Sequence, residues 1–192
     1  MTALPNDAPD DAAVLAATRD WVERAVVGLN LCPFARAPLV RGRLRMRVSH
    51  ARDEDALLGD LDAELGLLAE SDPQEIETTL LVHPGVLQAF DAYNAFLDIA
   101  DLAVRMRGLE GVVQVASFHP HYRFADAPAD AIENFTNRSP YPILHLLRES
   151  SIDAAVAAVP DTDAIYQRNI ETLRRLGRSG WDALWRTPDA DA

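Results

Sequence analysis

The apolar positions of the chain repeat with two different periods. Val14, Leu15, Trp21, Val22, Ala25, Val26 and Leu29 fall on one helical stripe. They predict a first helix, capped by Asp10 or Asp11 and running to about Asn30. Leu31 to Leu39 contains two prolines and reads as a loop. From Arg43 to Ser49 the period is two: Arg43, Arg45 and Arg47 alternate with Leu44, Met46 and Val48, as in a strand with one buried face. Asp53 to about Ser71 is helical again, with Leu57, Leu58, Leu61, Leu65 and Leu68 on one side and Asp72-Pro73 as its stop. Thr78 to His83 is a short, nearly continuous apolar run, a buried strand. Val86 to Arg107 is a long helix stopped at Gly108, and Val112 to Phe118 is a third strand.

The order strand, helix, strand, helix, strand predicts a single α/β domain over 11–186. Its βαβαβ core carries a short, mostly parallel sheet flanked by helices. The alternative is a ferredoxin-like α+β arrangement, in which βαβ units also occur. His119 to Tyr141 is irregular. Pro142 to Glu149, Ile152 to Ala158 and Asp161 to Leu176 read as helices, giving a helical C-terminal third with Gly177 as a C-cap and a last amphipathic turn from Trp181 to Trp185. Residues 1–10 read as a disordered lead and 187–192 as a tail.

Charge narrows the function classes. The chain has 192 residues, a net charge of -12 and a sequence pI near 4.7. No basic surplus exists to neutralise phosphates, so nucleic acid and anionic membrane surfaces are not expected partners. No apolar stretch is long enough to span a bilayer, and no targeting segment is evident, so a cytoplasmic location is expected. All 18 basic residues are arginine. Without lysine there is no Schiff base, hence no pyridoxal phosphate, and no P-loop. The single cysteine, Cys32, excludes an intramolecular disulfide.

Candidate chemistry sits where the predicted elements end. Each predicted strand closes on a histidine: His50, His83 and His119. Ligands of an open parallel sheet bind beyond the carboxyl ends of its strands, so parallel strands bring these imidazoles to one edge. In His119-Pro120-His121 two imidazoles two residues apart project to the same side and could share a divalent transition metal. The plain alternative is that Pro120 ends the strand and His121 sits in its turn. Cys32 precedes Pro33, which favours the first position of a helical turn. Free N–H groups there, with Arg36 nearby, would stabilise a thiolate nucleophile. An inert, buried cysteine is the competing reading. Arg138 and Ser139 precede the expected helix from Pro142, whose N-terminus would be an anion site with His145 one turn in. Arg138 paired with an acid and Ser139 acting only as a cap would explain the same residues. Trp21, Trp181 and Trp185 read as core or docking anchors.

Several words of the chain stand together. They are Asn30-Leu31-Cys32-Pro33-Phe34-Ala35, Glu77 to Val82, Ala116-Ser117-Phe118-His119-Pro120 with Tyr122 and Phe124, and Thr136 to Pro142 followed by Leu144 to Glu149. From about Trp21 to Trp181 the chain resembles the bacterial domain-of-unknown-function family 1415. The resemblance implies a soluble bacterial protein of unassigned activity and carries over no site residues.

Three functions remain open. The first is a small enzyme with a Cys/His/Arg site at the carboxyl edge of the sheet, acting on an anionic small molecule. In its metal form His119 and His121, with Cys32 or His145, hold an ion that activates water. In its thiol form Cys32 attacks, His119 is its base and Asn137 orients the imidazole. In both, Arg138, Ser139, Tyr122 and Arg36 bind the substrate. The second is a non-catalytic binding protein for an acidic metabolite or partner. The third is a structural or assembly subunit. Oligomeric state is not legible.

Overall fold

The computed structural model describes residues 10–157 and 163–186. The expected lead and tail, Asp10 aside, lie outside these residues. Helix α1 (Asp11–Trp21) continues into a π-helical segment, Val22–Val27, and a short α2 (Arg36–Val40) follows. Asp10 occupies the N-cap position of α1 without a capping side-chain hydrogen bond. Then come β1 (Leu44–Val48), α3 (Glu54–Glu70), β2 (Thr78–Val82), α4 (Phe90–Met106) and β3 (Val113–Phe118). A 3-10 turn (Ile132–Thr136) leads to β4 (Ile143–Arg148), α5 (Glu149–Ala157) and α6 (Asp163–Ala183).

The domain is α/β, but its sheet is mixed. The strand order is β1-β2-β4-β3. β1 and β2 are parallel, while β4 runs antiparallel to both β2 and β3. The expected mostly parallel sheet is therefore corrected to one parallel pair and two antiparallel pairs. β1, β2 and β3 still point the same way, with β4 inserted between the last two. The expected helix from Pro142 is that inserted strand. Ile143-Leu144-His145-Leu146-Leu147 holds a single β-branched residue, so local preference favours a helix. Pairing on both sides decides otherwise: Leu80 lies opposite His145 on one side and Ala116 on the other.

Helices cover both faces of the sheet. The adjacent, parallel β1 and β2 differ from a ferredoxin-like sheet, whose neighbouring strands are all antiparallel. α3 and α4 pack on one face, where Leu57, Leu61, Leu65, Tyr93 and Phe96 meet Leu81, Leu144 and Leu146. Both crossovers step in the same direction across the sheet, so right-handed connections place both helices on the same side. The first helix and α6 cover the other face, where Trp21, Val22, Leu173 and Trp181 meet Val48, Leu80, Val82 and Ile143. Two charged residues are built into the α3 side. Glu64, buried on α3, accepts hydrogen bonds from Arg45 Nε and Nη2 at 2.7 and 2.9 Å. Arg148, buried at the end of β4, donates to the carbonyls of Leu68, Ser71 and Ile76 and so satisfies the C-terminal turn of α3. α6 is broken at Gly177, the predicted cap, whose φ is 64°. The chain then turns into a second helical stretch carrying Arg178 and Trp181.

Candidate functional site

The carboxyl ends of β1, β2 and β3 share one edge, and two of the three strand-end histidines meet there. His50 is exposed and pairs with Asp11 at 3.2 Å. His83 and His119 are fully buried and both pack against the Tyr93 ring, with centroid distances of 5.8 and 5.0 Å. His83 donates Nδ1–H to the Val86 carbonyl at 3.1 Å, and its Nε2 has no partner among the described residues. Burial pushes its pKa down to about 4.

His119 is held on both ring nitrogens. Nε2 donates to the Leu87 carbonyl at 3.1 Å, and Nδ1 accepts the His121 N–H at 3.0 Å. Burial, with some repulsion from His121, lowers its pKa. The ring is thus a neutral brace for the 83–90 loop and for the turn after β3, with no lone pair left for a metal. Among the described residues, no three His, Cys, Asp or Glu side chains form a metal-holding group. Asn137 does not orient the imidazole. Its Nδ2 donates to the Ser117 carbonyl, and its Oδ1 accepts from Thr136. Only its backbone carbonyl meets His119, through the residue's N–H. The Tyr122 ring packs against Phe90 and Phe124.

Cys32 lies in a turn before α2 and is half-buried among apolar side chains. Burial raises its pKa, outweighing the Phe34 and Ala35 backbone hydrogen bonds that lower it. The thiol is therefore protonated at neutral pH, the reverse of the expected thiolate. The helix after it starts at Arg36, which is exposed, rather than at Pro33.

His145 is on β4, not in the first turn of a helix. Its Nε2 lies 2.7 Å from Thr78 Oγ1, and that hydroxyl donates to the Leu146 carbonyl at 2.7 Å. The hydroxyl has one proton, so His145 is the donor of the pair and is neutral. Enclosure pushes its pKa down to about 4. Because no helix begins at Pro142, the expected N-terminal anion site beside Arg138 and Ser139 does not form. The Ser139 hydroxyl donates to the Tyr141 carbonyl instead.

Two cavities of the described surface bear on the site. The larger, of about 620 Å³, lies between the N-termini of α3 and α4 and is lined by Arg52, Asp53, Glu54, Asp55 and the stretch from Val86 to Ala89, with Ala92. Three carboxylates against one guanidinium make it a poor place for an anion. The second, of about 520 Å³, has the opposite character. Its walls are Ala17, Asp20, Trp21 and Arg24 from the first helix, Pro120 and His121 after β3, Phe135 and Arg138 to Pro140 before β4, and Arg178, Trp181 and Trp185 from the chain end. Three arginines, one histidine and four aromatic rings face one aspartate, in a chain with 30 acidic residues.

Phe135 organises this cavity. Arg138 lies over its ring at 4.3 Å and Arg178 at 5.1 Å, and Trp181 meets it edge-on at 5.1 Å. Arg138 donates to the carbonyls of Tyr122 and Ala129, at 3.2 and 2.6 Å, and pairs with no carboxylate among the described residues. Burial and repulsion from Arg178 both work against its charge and lower its pKa. Of the candidate site residues read from the sequence, His121, Arg138 and Ser139 reach this cavity; Cys32, Arg36, His119, Tyr122, Asn137 and His145 do not line it. Arg24, Arg178 and Phe135 were not anticipated. A signal for the first two exists: Arg24 is three residues after Trp21, and Arg178 three before Trp181, so each pair shares a helix face.

A family model described as "Protein of unknown function (DUF1415)" matches residues 13–183. No curated protein and no solved structure matches the chain.

Proposed function

The chain belongs to the DUF1415 family, whose description carries no activity, and we propose from its own residues that it binds a small anionic molecule in the cavity around Phe135. The observation that carries this reading is Arg138: a partly buried guanidinium with carbonyl partners only, set beside a second guanidinium on the same ring. The two like charges on one aromatic ring repel each other, and an anion beside them relieves that repulsion. A volume of about 520 Å³ lies within the range of small-molecule sites. The Trp21, Trp181 and Trp185 rings supply an apolar wall for the rest of the ligand.

This is the binding-protein reading. The thiol reading loses support because the Cys32 proton is retained, and the metal reading because both His119 nitrogens are engaged. All three tryptophans of the protein line the cavity, so their indole N–H signals report on its occupation. Titration with naphthylacetate and with naphthyl phosphate, followed by NMR, should move these signals saturably with at least one probe. Unmoved indole signals with both probes, up to their solubility, would overturn the reading.

A further inference from the structure

The charges around the cavity also select the kind of anion, an inference that rests on the binding site just proposed. Arg24 faces Asp20 at 3.7 Å, and Arg178 donates to Asp182 at 3.1 Å. Three guanidinium groups thus stand with two carboxylates, and one positive charge is left over, that of Arg138. A monoanion cancels it. A dianion leaves a net negative charge in a chain that already carries -12, where each added negative charge is repelled further.

The geometry makes the same choice. Arg138 uses Nε and Nη2 on the Tyr122 and Ala129 carbonyls, leaving Nη1 as its only nitrogen without an acceptor among the described residues. Arg178 has spent Nε on Asp182. With several of their nitrogens already engaged, these guanidiniums have few donors left, which suits a group with two acceptor oxygens and little charge. The walls are edge-on aromatic pairs, Phe135 with Trp181 and Trp181 with Trp185, at 5.1 and 5.5 Å. These rings make the wall on that side of the cavity aromatic and apolar. We propose that the cavity takes a monocarboxylate with an apolar body, its carboxylate beside the Arg138 and Arg178 guanidiniums and its body against the tryptophans.

Naphthylacetate, naphthyl phosphate and naphthylmethanol share one ring system and carry a monoanion, a dianion and no charge. Binding of each to the full chain is followed by the indole N–H signals, with calorimetry for affinity. Naphthylacetate is expected to bind about tenfold or more tighter than either of the others. Arg178→Gln, at an exposed residue that holds no loop, should cancel the surplus charge and bring naphthylacetate down to about the affinity of the alcohol, roughly a tenfold loss. Asp182→Asn should do the reverse and raise the affinity for naphthyl phosphate in particular. Phosphate binding as tightly as carboxylate in the natural chain overturns the monocarboxylate assignment and leaves the anion site standing. Equal binding of the alcohol removes the charge argument altogether. No binding of any of the three overturns both.

Discussion

The Tyr93 hydroxyl donates to the Ile143 carbonyl at 2.7 Å and accepts the Phe118 N–H at 3.1 Å. One phenol on α4 thus closes the ends of two strands, β4 and β3, beneath the two buried histidines. Tyr93→Phe keeps the ring and strands both backbone groups. The expected loss is about 1–3 kcal/mol of unfolding free energy, read as a lower urea midpoint with unchanged slope. An unchanged midpoint would mean that water replaces the hydroxyl.

The buried imidazoles make stability depend on acidity. His83 and His145 titrate near 4 in the folded chain, against an ordinary 6.5. Between those values the unfolded chain takes up protons that the folded chain refuses, so stability falls as pH falls through this window. The slope is about 1.4 kcal/mol per pH unit for fully buried His83, and less for the partly exposed His145. Urea midpoints at several pH values across the window measure it. His83→Gln should flatten the curve, and a flat curve in the natural protein would contradict the neutral, buried assignment.

Cys32 should be a slow thiol. Its raised pKa and half-buried position predict alkylation by iodoacetamide about tenfold or more slower than that of free cysteine at neutral pH. Reaction faster than free cysteine would restore the nucleophile reading.

Gly177 sets the direction of the chain end. Its φ of 64° with ψ of 176° is a conformation open essentially to glycine alone, and no atom lies within 4 Å of where a Cβ would stand. The cost of Gly177→Ala is then conformational rather than steric, about 1–3 kcal/mol. The segment with Arg178 and Trp181 should shift with it. Changed Trp181 and Trp185 indole signals, together with a lower melting temperature, are the expected readout; a native-like spectrum would show that the kink does not aim these residues.

The period-two pattern of β1, the short, largely apolar runs of β2 and β3 and the helical spacing of α3 and α4 were legible because each element shows in its own spacing. β4 was not, since Ile143 to Arg148 is a strand only by virtue of the neighbours on either side. The misreading carried His145 and the supposed helix N-terminus with it. Arg138 was found for a reason that failed and lines the cavity for another: it stands on Phe135, not at a helix end. The tryptophans read correctly as packing residues. Their second role, as a wall, depends on which faces the fold leaves uncovered, and spacing along one chain does not encode that.

The insertion of β4 sets the order in which the chain can be finished. Translation releases β1, β2 and β3 before the strand that belongs between β2 and β3. Thr78 must wait for His145, 67 residues downstream, before its hydrogen bond can close. Until then the inner edges of two apolar strands stand open, each able to pair with the other or with a neighbouring nascent chain. Closing contacts of such separation is slow. A chain stopped before Ile143 lacks the centre of its sheet rather than its margin, and belongs with the aggregation-prone fragments rather than with the stable ones.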